Sequence, residues 1–182
     1  MILPIVPYGD TWLRQVSRPV PMHWQGLKNL LENMWHTLDH AQGAGLAAIQ
    51  VGTDLQVFLA DTGEAADEPV RKAFINPEIT WYSSEQLLEE EGCLSIPGLQ
   101  AAVPRAISVR MTYFDEDFHA VEAVFSGPLA RIVQHEYDHT RGRLYLDYLS
   151  PLRRQLLRTG LERIRKGKAS CPYPLRQADH RK

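Results

Sequence analysis

The chain has 182 residues, of which 44% are hydrophobic and 23% charged, and this composition excludes a largely disordered protein. No apolar run approaches the roughly 18 residues of a membrane-spanning helix, and the opening MILPIVPYGD lacks the basic region of a signal peptide. The only two cysteines, Cys93 and Cys171, are too few for a disulfide framework, so we expect a protein of the reducing cytoplasm.

The net charge of −2 is unevenly distributed. Residues 152–182 carry a net charge of +8, whereas residues 1–151 carry −10. A basic segment on an acidic body indicates either electrostatic docking on RNA or a solvated terminal helix that needs no partner. Charge alone slightly favours the solvated helix.

Hydrophobic periodicity and turn signals predict the elements in chain order. They are an amphipathic helix at about 24–41, strands at 55–61 and 70–79, a strand and then an irregular segment within 79–98, a hairpin at 107–127, and helices at about 128–141 and 151–166. The strand at 70–79 is expected to end at Asn76 and Pro77. Runs of strands followed by helices predict an α+β fold. We expect mostly antiparallel sheets packed around the helix at 128–141, with the first helix N-terminal and the last C-terminal to them. The predicted division is one domain at 1–166 and a basic tail at 167–182.

The helix at 128–141 contains HEYDH (135–139), an H-E-x-x-H pattern. Side chains four residues apart share a helix face, so His135 and His139 can bind one metal ion, with Glu136 beside it. The alternative is a pair of structural histidines. A catalytic metal site commonly has three protein ligands and one open position, so a third ligand is required.

Two upstream stretches supply further candidates. In EGCLS (91–95), Cys93 offers a thiolate, a strong ligand for borderline divalent metals, although most lone cysteines are simply small buried residues. Downstream of the helix, Asp147, Glu162 and His180 are weaker candidates. In GAGLAAIQ (43–50), Gly43 and Gly45 permit close approach of a ligand, and Gln50 offers an amide to a developing oxyanion.

Together, GAGLAAIQ, EGCLS and HEYDH resemble the three signature motifs of the peptide deformylase family, in order and spacing. The resemblance implies a metal-dependent hydrolase that removes the N-formyl group from the formyl-methionine of newly made polypeptides and releases formate. It implies that Cys93, His135 and His139 hold one divalent ion. The family generally uses iron(II) and accepts nickel, cobalt or zinc.

The resemblance also implies roles for the remaining motif residues. Glu136 would act as general base, while the Gln50 side chain and the Leu94 backbone N–H would stabilise the oxyanion. Residues 1–166 would then be the catalytic domain. One departure from the family is Tyr145, where many members carry Phe.

Substrate recognition is expected to use backbone pairing, because formyl-methionyl chains share few side chains. The residues expected to admit or contact the peptide are Gly43, Gly45, Gly92, Arg105 and Ile132. For Arg105 the alternatives are a clamp on the peptide backbone and a surface arginine on a strand. Glu91 is expected to form hydrogen bonds near the site, and Asp138 to form a structural ion pair.

Two other functions remain open from the residues alone. An H-E-x-x-H metalloprotease would take a third ligand from downstream of the motif. A non-catalytic structural Cys-His-His zinc protein would need a fourth protein ligand and no Glu136. For the deformylase we expect nascent formyl-methionyl peptides as substrate, ribosome contact through the basic C-terminal segment, and a monomer.

Overall fold

The structure is a computed structural model that describes residues 1–64 and 69–177. Its helices are α1 (Leu27–Ala41), α2 (Gly127–Thr140) and α3 (Pro151–Arg165). Its strands are β1 (Gly45–Ala47), β2 (Val57–Asp61), β3 (Arg71–Tyr82), β4 (Gln86–Gly92), β5 (Gln100–Ala106), β6 (Ser108–Phe114) and β7 (Ala120–Ser126). Short 3-10 helices occupy Thr11–Arg14, Ala48–Val51 and Tyr145–Tyr148.

The strands form two antiparallel sheets. Five strands are arranged in the order β1-β2-β3-β6-β7, and β4 pairs with β5 in a separate sheet of two strands. The β6–β7 pair is the predicted hairpin, joined through Asp115, Glu116 and Asp117. Mixed helices and antiparallel sheets confirm the α+β class.

The two faces of the large sheet contact different helices, because successive strand residues point to opposite sides. One face packs with α1 in a buried cluster that includes Leu30, Met34, Leu38, Leu59 and Ile75. The other face packs with α2 in a second cluster that includes Phe58, Phe74, Ala130, Val133 and Tyr137. Helix α2 is thereby held with its motif inside the molecule.

Two strand predictions need correction. β3 does not end at Asn76 and Pro77 but continues to Tyr82, with its register against β6 shifted between Ile75 and Glu78. Asn76 adopts a φ of 50°, and its side-chain amide accepts from the Val20 N–H at 2.7 Å and donates to the Val20 carbonyl at 3.0 Å. The irregularity is therefore a bulge within a strand rather than its end.

Strand β5 was not among the elements predicted in chain order, because QAAVPRA combines small residues with Pro104. Proline is tolerated in edge strands, where a missing N–H breaks no ladder. β5 pairs with β4 alone, so it meets that condition.

The chain after α3 returns to the N-terminus. The Ile5 N–H donates to the Pro174 carbonyl at 2.9 Å, and the Arg176 N–H donates to the Ile5 carbonyl at 2.8 Å. The division of the chain at 166 remains a prediction, but residues on both sides of it pack together. The last part of the predicted tail, 178–182, lies outside the described residues.

Candidate metal centre and active site

The three predicted metal ligands converge in the structure. His135 and His139 lie four residues apart on α2 with ring centroids 5.0 Å apart, and Cys93 follows the end of β4. The Cys93 Sγ lies 3.3 Å from His139 Nε2, and one ligand atom from each residue lies within 4.8 Å of the others. A thiolate with two imidazoles is a donor set suited to a borderline divalent ion, so these residues fit a metal.

The alternative third ligands do not reach this point. Asp147 is bound by Arg14 and Arg154, and Glu162 pairs with Arg165 on the exposed surface of α3. His180 lies outside the described residues. Among the residues described, the only group with metal-ligand geometry is Cys93, His135 and His139, and it contains no downstream ligand of the kind the metalloprotease alternative requires.

His135 is oriented by Glu91. Its Nδ1 lies 2.9 Å from Glu91 Oε2, so an N–H at Nδ1 donates to the carboxylate and leaves Nε2 available for a metal. Burial alone would raise the pKa of Glu91, but hydrogen bonds from His135 and Arg105 lower it to about 2. Burial holds the pKa of His139 well below its usual value, with the nearby His135 adding to the effect. His139 is therefore neutral at pH 7, as a ligand must be.

Arg105 is buried in an ion-pair network, so the alternative of a surface arginine was wrong. The residue is only 4% exposed, and its guanidinium donates to both oxygens of Glu91 at 2.7 and 3.0 Å. It also donates to Asp138 at 2.6 Å, which confirms the predicted ion pair of Asp138. With its donors directed to these two buried carboxylates, Arg105 holds Glu91 in place.

Sequence reasoning missed Arg131. This side chain donates to Glu91 at 2.9 Å and to the carbonyls of Val103 and Leu87 at 3.0 and 2.6 Å. It thereby ties α2 to the two-stranded sheet, whose strand β4 ends just before Cys93. The available signal was its position four residues before His135, on the same helix face.

Glu136 is buried beside the metal ligands. It is 4% exposed, and within the described part of the chain its Oε2 has no hydrogen-bond partner. Burial raises the pKa of Glu136 to about 7. Gly45 lies directly against it: a Cβ at Gly45 would lie 2.7 Å from Glu136 Cγ.

Gln50 presents its amide nitrogen to the loop after β4, residues 93–96, which contains the ligand Cys93 and is called the ligand loop below. Its Oε1 accepts from the Ala47 N–H at 2.8 Å, which fixes the orientation of the carboxamide. Its Nε2 therefore faces Ser95 Oγ at 3.2 Å and Cys93 Sγ at 3.5 Å. Leu94, the other predicted oxyanion donor, follows Cys93 directly in this loop.

A cavity of about 570 Å³ opens beside these groups. Its walls include Cys93, His135 and Glu136 together with four of the five predicted substrate residues, namely Gly43, Gly45, Gly92 and Ile132. Its volume is in the range that binds small ligands, and it has a polar end at the metal ligands. Tyr173, which the sequence did not suggest, forms another part of the wall.

Comparisons with known proteins identify one family for this chain. The family model described as Polypeptide deformylase matches residues 2–155. A peptide deformylase of Cytophaga hutchinsonii is 41% identical over 179 residues, covering 97% of each chain. One from Salinibacter ruber is 42% identical over 184 residues, covering 96% of this chain and 94% of its own. The crystal structure of a peptide deformylase from Legionella pneumophila matches with a TM-score of 0.83 and 34% identity, covering 92% of this chain and 98% of its own.

Proposed function

Since the chain belongs to the polypeptide deformylase family, we propose how its own residues carry out deformylation. The enzyme is a peptide deformylase, a hydrolase that removes the N-formyl group from the formyl-methionine of newly made polypeptides and releases formate. The proposal rests above all on the convergence of Cys93, His135 and His139 beside a buried glutamate.

Cys93, His135 and His139 hold the metal ion in this proposal. When bound, the ion would act as a Lewis acid that lowers the pKa of water and so makes it a nucleophile near neutral pH. Iron(II) is the proposed ion, with nickel, cobalt or zinc as replacements that the same donors accept. The packing of both sheets around α2 is part of the proposal, since it brings the loop after β4 to the two histidines.

Glu136 is the proposed general base. A carboxylate whose pKa lies near 7 can both accept the proton of the attacking water and return it to the leaving amine. Its Oε2 has no hydrogen-bond partner among residues 1–64 and 69–177, which supports a group that binds water or substrate. Gly45 leaves the space that this carboxylate occupies.

Gln50 and Leu94 are the proposed oxyanion donors. The Gln50 Nε2 is directed toward Cys93 by its bond to Ala47, and the Leu94 N–H belongs to the peptide that follows the thiolate. In this proposal the Gln50 donor is oriented before substrate arrives. Preorganised donors of this kind contribute typically about 10²–10³ in rate each.

The peptide binds in the cavity beside these groups. Gly43, Gly45 and Gly92 admit its backbone, and Ile132 contributes an apolar wall for the methionine side chain. In this proposal Arg105 positions Glu91 and is not counted among the residues that contact the peptide.

Contact with the ribosome is proposed through α3. Arg158 and Arg163 are exposed on this helix within the segment of net charge +8. Binding to ribosomal RNA should weaken steeply with salt. Co-sedimentation of an Arg158→Glu, Arg163→Glu variant should be reduced, whereas Lys28→Glu with Lys72→Glu on the acidic body should not reduce it. Absent or salt-insensitive co-sedimentation would leave α3 as a solvated helix.

A cytoplasmic monomer completes the proposal. Cys93 and Cys171 are both free, which is consistent with a reducing compartment. Within residues 1–64 and 69–177, no helix combines the length and apolar character needed to cross a bilayer.

Metal analysis of cysteine variants tests the ligand set. Cys93→Ala should lose the metal, because a thiolate ligand is removed, whereas Cys171→Ala should retain one ion per chain. Full metal content in Cys93→Ala would contradict the proposal, because a residue other than Cys93 would then be the third ligand. The enzyme must be prepared anaerobically for this metal analysis, because the thiolate and iron(II) can both be oxidised.

A further inference from the structure

The C-terminal segment 171–176 forms part of the active-site wall. It lies beyond residue 155, where the family match ends. Leu175 forms a parallel bridge with Ile5, flanked by the two backbone hydrogen bonds that Ile5 makes with Pro174 and Arg176. Tyr173 and Leu175 pack on the same core cluster as Leu94. This segment is therefore anchored to the body of the protein at the cavity.

Tyr173 connects this segment to the ligand loop. Its hydroxyl donates to the Leu94 carbonyl at 2.9 Å, and its side chain lines the cavity with Cys93 and Leu94. Burial raises the pKa of Tyr173, so the hydroxyl remains protonated and able to donate across the neutral range.

The ligand loop is fixed on its other sides by main-chain bonds. The Ile96 N–H donates to the Cys93 carbonyl at 2.8 Å, and the Tyr8 N–H donates to the Ser95 carbonyl at 2.8 Å. Tyr173 binds the Leu94 carbonyl, which lies between the Cys93 and Ser95 carbonyls in the chain. A rotation of Leu94 would move both the thiolate before it and the N–H assigned to the oxyanion.

We propose that Tyr173 is a positioning residue for deformylation, which holds the Cys93–Leu94 loop so that the Leu94 N–H faces the reacting carbonyl. The inference rests on the proposed role of Leu94 and extends it to a part of the chain outside the family match. A donor that acts mainly on the transition state contributes to kcat more than to KM.

Tyr173→Phe in the full-length, metal-loaded enzyme tests this role. The ring and the cavity wall are kept, and only the hydroxyl is removed. We expect kcat for a short formyl-methionyl peptide to fall about fivefold with KM little changed, as for loss of one hydrogen bond. The matched control is Tyr145→Phe, which removes a hydroxyl that donates to the Leu99 carbonyl at 3.2 Å in the continuation of the same loop. It should leave kcat unchanged.

Amide hydrogen exchange at Ile96 gives a second readout that does not depend on turnover. Exchange should be about fivefold faster in Tyr173→Phe than in wild type or Tyr145→Phe, because the loop is less restrained. Unchanged kcat in Tyr173→Phe, or equal effects of both variants, would overturn the proposal. A wild type that releases no formate would contradict the proposed residue roles instead, and the exchange rates would still decide whether Tyr173 holds the loop.

Discussion

Gly45 lies against the carboxylate of Glu136 so closely that even a methyl group would overlap it: an ideal Cβ would lie 2.7 Å from Cγ and 2.8 Å from Cδ of Glu136. Gly45 begins β1, on the first motif, and Glu136 lies on α2, in the third. The first motif therefore shapes the position of the base as well as the entry of the peptide.

Gly45→Ala should lower kcat by about tenfold to a hundredfold, because Glu136 must move away from the reacting water. Gly92→Ala is the comparison, since a Cβ there would meet its nearest neighbour, Gln100 Cγ, at an ordinary 3.5 Å. Gly92 also lines the cavity, so any effect of its variant should fall on KM. Steady-state kinetics of both variants would decide, and equal kcat values for the two would contradict the steric account.

Glu91→Gln should weaken metal binding by about tenfold to a hundredfold, because His135 loses the carboxylate that orients its ring. It should also destabilise the protein by about 3 kcal/mol or more, since Arg105 is left buried without one of its partners. Chelator competition and urea unfolding measure the two effects.

Glu89→Gln provides the matched control for Glu91. Both carboxylates bind Arg131, but the Glu89 side chain is 52% exposed and that of Glu91 only 4%. The Glu89 variant should lose less than about 1 kcal/mol and retain its metal affinity. Similar losses in the two variants would mean that the buried network does not orient the ligand.

Glu136 should make the stability of the metal-free enzyme depend on pH. Burial raises its pKa from 4.5 to about 7 in the folded chain, so the folded state binds the proton more tightly than the unfolded state. The contribution of this group is favourable below about pH 4.5 and is lost as the pH rises through 7. Glu136→Gln removes the buried charge.

The metal-free Glu136→Gln variant should therefore be more stable than wild type at pH 8, by about 3 kcal/mol, with little difference at pH 4.5. Urea unfolding at both pH values measures this. A difference that is the same at the two pH values would contradict the assigned pKa.

Local pattern predicted two of the three residues of the metal site, because helical spacing places His135 and His139 on one face. Cys93 was one of several candidates for the third ligand until the resemblance of the three motifs to the peptide deformylase family implied it. The fold class followed from the order of strands and helices. These features depend on sequence periodicity or on short motifs, which one sequence displays directly.

Hydrogen bonds of Glu91 near the site and an ion pair of Asp138 were predicted, but the partners in the network behind the ligands were not. Glu91, Arg105, Arg131 and Asp138 come from two strands and a helix, and their contacts depend on tertiary packing. Arg105 in particular has no sequence feature that distinguishes a buried ion pair from an exposed clamp. Tyr173 was missed for the same reason, because its contact with Leu94 spans 79 residues of chain.

The central claim is that Glu136 transfers the proton during deformylation, and formate release tests it most directly. Anaerobic, iron- or nickel-loaded wild type and Glu136→Gln, each shown to hold one metal per chain, would be compared on a short formyl-methionyl peptide. We predict formate and free amine in equal amounts from wild type, and a rate about 10²–10⁴-fold lower in the variant. A variant that turns over at the wild-type rate, or a metal-loaded wild type that releases no formate, would contradict the account.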